Sequence, residues 1–209
     1  MPQIKSLSPR IKDKGCLTEI ARRKLTRRLC EEYLQQAFIL PSKANVLAFR
    51  NDAGGHELYY RNHERHKDYK GRIGPEGIRT LPAAPILERI DLYVYAHFWD
   101  FLTHLHVNGL QPDATYIITN GLVTEAAQYA VTALERARRV VVFPYDSQEH
   151  DFLAELDADH VPVGVWGENL TEALMKPDGH FKLKQAMSAP ERQNDHTHAQ
   201  SFTMRVRPQ

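Results

Sequence analysis

Between residues 90 and 175 apolar runs of strand length alternate with helical patterns, and this alternation constrains the fold more than any other feature of the chain. IDLYVY (90–95) reads as a buried strand, and residues 98–106 carry a helical pattern. TYIIT (115–119) is the next strand, residues 123–138 form a long amphipathic helix, and RVVVF (139–143) is a third strand. A helix around 147–156, a strand over 161–165 and a short helix near 170–174 complete the series. Strands separated by helices of this length pair in parallel, in a sheet covered on both faces. Ligands of such sheets gather beyond the carboxyl ends of the strands, near a switch in strand order. That directs attention to residues 95–97, 120–121, 144–148 and 166–169.

The first part of the chain follows another pattern. Leu17, Ile20, Ala21, Leu25, Leu29, Cys30, Tyr33 and Leu34 fall at helical spacing, predicting two short helices over 17–36 with Thr26 as a cap between them. VLAF (46–49) and LYY (58–60) flank Ala53-Gly54-Gly55, a turn whose glycines take positive φ without strain, and so predict a β-hairpin. Residues 61–88 read as a basic loop with a short strand near 78–81, and the polar, aperiodic stretch from 188 onward as a flexible tail. The expected fold class is α/β, with a mostly parallel central sheet flanked by helices (89–187). A small helical plus β-hairpin subdomain (1–88) precedes it, and a tail (188–209) follows.

With 42% hydrophobic and 25% charged residues the chain is composed to bury a core rather than to stay disordered. No apolar run approaches the ~20 residues that span a bilayer, and the first thirty residues lack the apolar core of a secretory signal. Cys16 and Cys30 form neither a CxxC pair nor a disulfide framework. The expectation is a cytoplasmic protein with no membrane partner.

The net charge of +1 conceals an uneven distribution: residues 1–30 hold nine Lys/Arg against two acids, whereas residues 144–172 hold eight acids and no Lys or Arg. Arg22, Arg23, Lys24, Arg27 and Arg28 in the helices, with Arg61, Arg65, Lys67, Lys70 and Arg72 in the basic loop, are therefore candidate phosphate contacts. Tyr59, Tyr60 and Tyr69 interleave with the second group, a combination suited to single strands through stacking plus backbone attraction. The competing reading is a solvated hairpin and loop.

LTRRLCEEYLQQAFI (25–39), LAFRNDAGGHELYYRN (47–62) and YKGRIGPEGIRTL (69–81) resemble the primase-like Toprim proteins encoded on bacterial mobile elements. YAHFWDFLT (95–103), YIITNGL (116–122) and VVFPYDS (141–147) match later motifs of that group in the same order, so the resemblance covers residues 17–175. It implies a Toprim fold, in which a glutamate after the first strand and an acidic pair after a later one hold Mg²⁺ against substrate phosphates. Position by position most of that set is replaced. The glutamate falls on Ala96 and the glycine after it on His97; the first aspartate of the pair falls on Pro144 and the second on Asp146; a further aspartate falls on Asn169.

The resemblance thus implies a nucleic-acid-binding protein derived from mobile-element primases and lacking their chemistry, with no cofactor expected and Asp146 a weak metal candidate. Its partners would be DNA or RNA and a separate mobile-element or replication protein. One alternative is a metal-dependent nuclease or primase using Mg²⁺ or Mn²⁺ on a relocated set of Asp146, Glu149, Asp151 and Asp100. Another is a protein-interaction module on the Toprim scaffold. Among the histidines, His104/His106, His63/His66 and His196/His198 lack a third ligand at a metal-site spacing. His97, at a strand end, is either a phosphate or proton-transfer group or a space-filling replacement for the lost glycine.

Overall fold

The computed structural model describes residues 2–85, 87–143, 163–165 and 169–188. The chain opens with β1 (Gln3–Ser8), α1 (Lys14–Arg22), α2 (Arg27–Tyr33), β2 (Leu34–Leu40), β3 (Ala44–Arg50), β4 (His56–Asn62), β5 (Lys67–Ile73) and β6 (Arg79–Leu81). There follow β7 (Ile90–Tyr95), α3 (Phe98–Asn108), β8 (Ala114–Ile118), α4 (Val123–Leu134), β9 (Ala137–Phe143), β10 (Val163–Val165), α5 (Leu170–Met175) and α6 (Gly179–Ser188).

Among the described residues two five-stranded sheets result. The first runs β1-β2-β3-β4-β5 and every pairing in it is antiparallel. The second runs β10-β9-β7-β8-β6, with parallel pairing from β10 through β8 and an antiparallel β6 at the edge. The expectation of one mostly parallel sheet behind a small hairpin is corrected: the hairpin β3–β4 is the centre of an antiparallel sheet as large as the other.

The strands that the sequence hid have physical reasons for hiding. Leu34 falls at the spacing of the helical stripe, but α2 stops at Tyr33 and Leu34 starts β2, because pairing of this strand with β1 and β3 outweighs local helical preference. Polar KDYKGRI forms β5, not a loop; most of it is exposed, and its ladder with β4 from Asn62↔Lys67 to His56↔Ile73 holds it as a charged edge strand. Thr26 does cap α2, its Oγ1 accepting the amide of Leu29 at 3.4 Å. The expected helix around 147–156 and the tail beyond 188 lie outside the described residues, whereas α6 was not anticipated.

The principal core lies between the sheets. Cys16 and Ile20 of α1 and Phe98, Phe101 and Leu102 of α3 pack with Leu47, Phe49 and Tyr59 of the first sheet and Tyr93, Tyr95 and Tyr116 of the second. Both cysteines are free and buried, which pushes their thiols up to about 12 and leaves them inert near neutral pH. On the other face of the second sheet, Ala126, Ala127 and Ala130 of α4 cover Leu92, Val94, Ile117 and Val140. Placing α3 and α4 on opposite faces sends the loops after β7 and β8 apart at the carboxyl ends of these neighbours, the place where ligands of open parallel sheets gather.

The NDAGG turn after β3 ties the two sheets together. Asn51 accepts the amide of Gly55 at 2.7 Å and donates to the Pro75 carbonyl at 2.9 Å. Asp52 accepts from the amide and hydroxyl of Thr80 at 2.7 and 2.8 Å and pairs with Arg79 at 2.9 Å, both on β6 of the second sheet. The most distinctive motif in the sequence is therefore a structural clamp.

Candidate functional site

Residues 95–97 and 120–121 lie at the carboxyl ends of the neighbouring strands β7 and β8, where the Thr119 amide donates to the Tyr95 carbonyl at 2.9 Å. Asn120 and Gly121 both have positive φ, 52° and 88°, a conformation that Asn and Gly adopt most readily. Asn120 donates to the Gly77 carbonyl at 3.1 Å, and its own carbonyl accepts from Arg72 of β5 at 2.9 Å. The first sheet thus reaches over the carboxyl ends of the second.

His97 is the N-cap of α3, its Nδ1 accepting the amide of Trp99 at 3.3 Å. Its surroundings bury the ring, and with the positive charges of Lys70 and Arg23 nearby they push its pKa down to about 3. The imidazole is neutral at physiological pH and can accept a proton only weakly, which favours the capping role over acid–base work.

Asp100, in the first turn of α3, is only 1% exposed. Its Oδ1 accepts from the Thr171 amide at 3.0 Å and the Thr171 hydroxyl at 2.9 Å, and Asn169 approaches its Oδ2 at 3.4 Å. Asn169 meanwhile caps α5 through the Glu172 amide at 3.0 Å. These contacts join α3 to α5 and occupy the carboxylate. The Ala96 side chain offers no ligand atom, so the end of β7 does not fit the Mg²⁺ cradle that the resemblance implies. Asp146, Glu149 and Asp151 lie outside the described residues. Among the described residues, no three His, Cys, Asp or Glu side chains converge as a metal site.

Burial raises the pKa of Asp100 above 3.8 despite the Thr171 hydrogen bonds. A carboxyl raised on folding contributes stability below its unfolded pKa that is lost as pH rises through the folded value. Asp100→Asn, which keeps an acceptor for Thr171 and never ionises, is expected within about 1 kcal/mol of wild type at neutral pH. Its stability relative to wild type should improve from pH 3 to pH 7, whereas Asp100→Ala should lose about 2–3 kcal/mol by orphaning Thr171. Urea denaturation of the two variants at several pH values checks this; equal losses would show that the charge itself is required.

The candidate phosphate-binding residues divide into two groups. Arg23 is 8% exposed, donates to Glu19 at 2.6 Å and Tyr59 at 3.0 Å, and stacks over Trp99 at 4.2 Å. Arg22 pairs with the same Glu19 at 2.7 Å, and Lys24 donates to the Lys176 carbonyl at 2.7 Å. These three hold α1 against α3, β4 and α5, and Arg23 is withdrawn from solvent. The buried Glu19 that organises them was not singled out in the sequence, although its spacing of three and four from two arginines is the signal for such a pair.

Arg27 pairs with Glu31 at 2.8 Å and Arg28 with Glu32 at 3.9 Å, both on the exposed side of α2. Arg61 pairs with Asp68, and Arg72 with Glu57 at 2.5 Å and with Glu76. Arg65, Lys67 and Lys70 are exposed. Exposed candidate cations thus lie both on the helical stretch, at Lys24, Arg27 and Arg28, and on the β4–β5 hairpin. Of the three tyrosines, Tyr59 is core, while Tyr60 and Tyr69 lie opposite each other across β4 and β5 on the other face of the sheet.

The histidines do not assemble. His104 is buried among Tyr93, Tyr95 and Tyr116, His63 contacts the Gly15 carbonyl at 3.2 Å, and His66 sits at a positive-φ position in the turn before β5. His106 meets His180 with ring centroids 5.4 Å apart; His196 and His198 lie outside the described residues. No helix among the described residues is long and apolar enough to cross a membrane.

No family model matches the chain, and no curated protein matches it in sequence. Solved structures do match in fold. The primase fragment of the bacteriophage T7 primase-helicase superposes with a TM-score of 0.56 at 12% identity, over 85% of this chain and 74% of that one. A chain from a complex of bacteriophage T7 lagging-strand DNA polymerase interacting with primase domains bound to an RNA/DNA hybrid and dTTP gives 0.53 at 11% identity. That match covers 90% of this chain and 93% of the other. The two-sheet architecture is thus a primase-like fold.

Proposed function

We propose that this protein binds DNA or RNA as a catalytically silent descendant of mobile-element primases, acting in the cytoplasm beside a separate replication or mobile-element protein. The observation that carries this reading is the end of β7. Where the resembled Toprim module places its glutamate there is Ala96, His97 is a neutral helix cap, and Asp100 is engaged with Thr171. Alanine cannot ligate Mg²⁺, and a carboxylate committed to two hydrogen bonds in the interior is unavailable to a hydrated ion. The primase-like fold and the RNA/DNA hybrid of the similar complex support a polynucleotide as the ligand, and the exposed Arg65, Lys67 and Lys70 support contact with its phosphates.

Fluorescence anisotropy of labelled oligonucleotides over a salt series, with and without Mg²⁺ or Mn²⁺, tests the proposal. Affinity is expected to fall steeply with salt, because phosphate contacts release counterions, to ignore the metal, and to leave the oligonucleotide intact on a gel. Metal-dependent cleavage or primer extension that disappears in Asp146→Ala would overturn the catalytic part; no binding at any salt would overturn the whole.

A further inference from the structure

The antiparallel sheet has one face in the principal core and another that no described helix contributes to. The apolar cluster on this second face consists of strand residues alone, among them Ile39, Val46, Leu58, Tyr60 and Ile73. The helices α1 and α2 pack from the opposite side, where Cys16, Ile20 and Cys30 join Leu47, Phe49 and Tyr59. Strand alternation and the ladder register assign each side chain to a face. Tyr60 lies opposite Tyr69, Asn62 opposite Lys67, Arg50 opposite His56, and Leu7 opposite Ala37. All share the second face. Two of the five exposed large apolar side chains among the described residues, Tyr69 at 42% and Leu7 at 40%, are among them.

The charge on this face has one sign. The five strands contain only two carboxylates, Glu57 and Asp68, and register puts both on the opposite face, paired with Arg72 and Arg61. What remains here is cationic and aromatic. Arg50 is exposed at one end, and at the other Lys67 places its ammonium 5.5 Å from the ring centroid of Tyr69. The Tyr60 and Tyr69 rings lie 6.0 Å apart and are tilted by 34°.

Resting on the reading that the protein binds a polynucleotide, we infer that this face, at its β4–β5 side, is the surface on which a single strand lies. Unpaired bases stack on Tyr60 and Tyr69, while Lys67 and Arg50 meet the backbone phosphates at either end of the row. A duplex, whose base faces are already stacked on one another, gains nothing from the two rings, so the face discriminates single from double strands. An acidic protein partner would satisfy the cations but has no use for the exposed Tyr69 ring beside the half-buried Tyr60; an apolar partner would leave Lys67 and Arg50 facing it without carboxylates.

The test compares wild type, Lys67→Ala and the double variant Y60A/Y69A by anisotropy on one labelled sequence, presented single-stranded and as a duplex. Melting curves confirm that each variant is folded, and crosslinking of a 5-bromouridine single strand to wild type maps the contact by mass spectrometry. The expected results are a loss of about tenfold per tyrosine in single-strand affinity with little change on duplex, a shallower salt slope for Lys67→Ala, and crosslinks in β4 or β5. Undiminished single-strand binding by the double variant, or crosslinks confined elsewhere, would overturn this surface and leave the polynucleotide reading standing. Absence of all nucleic-acid binding by wild type would overturn both. A concentration-dependent dimer in sedimentation velocity that Y60A/Y69A abolishes would assign the face to a second copy of the chain instead.

Discussion

Glu19→Ala is expected to cost about 3–5 kcal/mol of folding stability, the largest loss from any single side-chain truncation considered for this protein. Glu19 is 1% exposed and accepts from Arg22, Arg23 and the Tyr59 hydroxyl, the last at 3.0 Å. Truncation leaves the Arg23 guanidinium buried between Tyr59 and Trp99 without its counter-charge, and an unpaired interior charge costs more than the pair ever contributed. Chemical denaturation at neutral pH should show the loss, and the melting temperature should fall on the order of 10 °C. Glu19→Gln, which keeps the shape and drops the charge, should fall between. Burial works to raise the Glu19 pKa, but the Arg22 hydrogen bond and both arginine charges outweigh it and hold the value below the usual 4.5. A carboxyl lowered on folding stabilises above its unfolded pKa, and that contribution is lost as pH falls through the folded value. The gap between wild type and Glu19→Ala should therefore narrow below about pH 4.5. A gap that stays constant down to pH 3 would show that packing, not charge, carries the effect.

The second large effect is expected at Gly55, from the backbone itself. A Cβ there would lie 1.9 Å from the Pro75 carbonyl oxygen, so the turn after β3 and the segment after β5 could not keep their separation. Gly55→Ala is expected to lose about 3 kcal/mol. It should also loosen the Asn51 bridge, whose bonds to Gly55 and Pro75 require that approach. Its neighbour provides the control: Gly54 has φ of 88° and nothing within 4 Å of an added Cβ. Gly54→Ala should cost only the left-handed backbone penalty of about 1–2 kcal/mol. Denaturation midpoints that rank the two variants in the opposite order would refute the close-approach account. Faster amide exchange in β6 of Gly55→Ala alone would place the damage at the junction of the sheets.

The candidate site is only partly legible in the sequence. The carboxyl ends of β7 and β8 are legible from the strand–helix alternation alone, because β7, α3 and β8 are each a run of the right length and period. The replacement of a carboxylate by Ala96 is likewise a matter of reading one residue. The engagement of Asp100 was not legible: Thr171 is 71 positions away, and nothing local to the FWDFL segment signals it. The basic residues were countable but not assignable. Arg23 and Arg28 belong to the same cationic stretch, yet one is interior and the other on the surface, because α1 faces the core with Glu19 while α2 turns Arg28 outward.

The sequence by itself determined the order and type of the helices and strands from residue 90 to 143, the hairpin and its glycine turn, and the Thr26 cap. Each is written in a local period or in one residue's conformational preference, which neighbours within a few positions suffice to express. Only the tertiary structure decided that β1, β2 and β5 extend the hairpin into a full antiparallel sheet. β5 in particular buries little and is held by backbone bonds to a partner strand. It also decided that Glu57 and Asp68 share one face with Arg61 and Arg72 while Tyr60, Tyr69, Lys67 and Arg50 share the other. The face of a strand residue depends on register, and register is set by pairing across the sheet, not by composition along the chain.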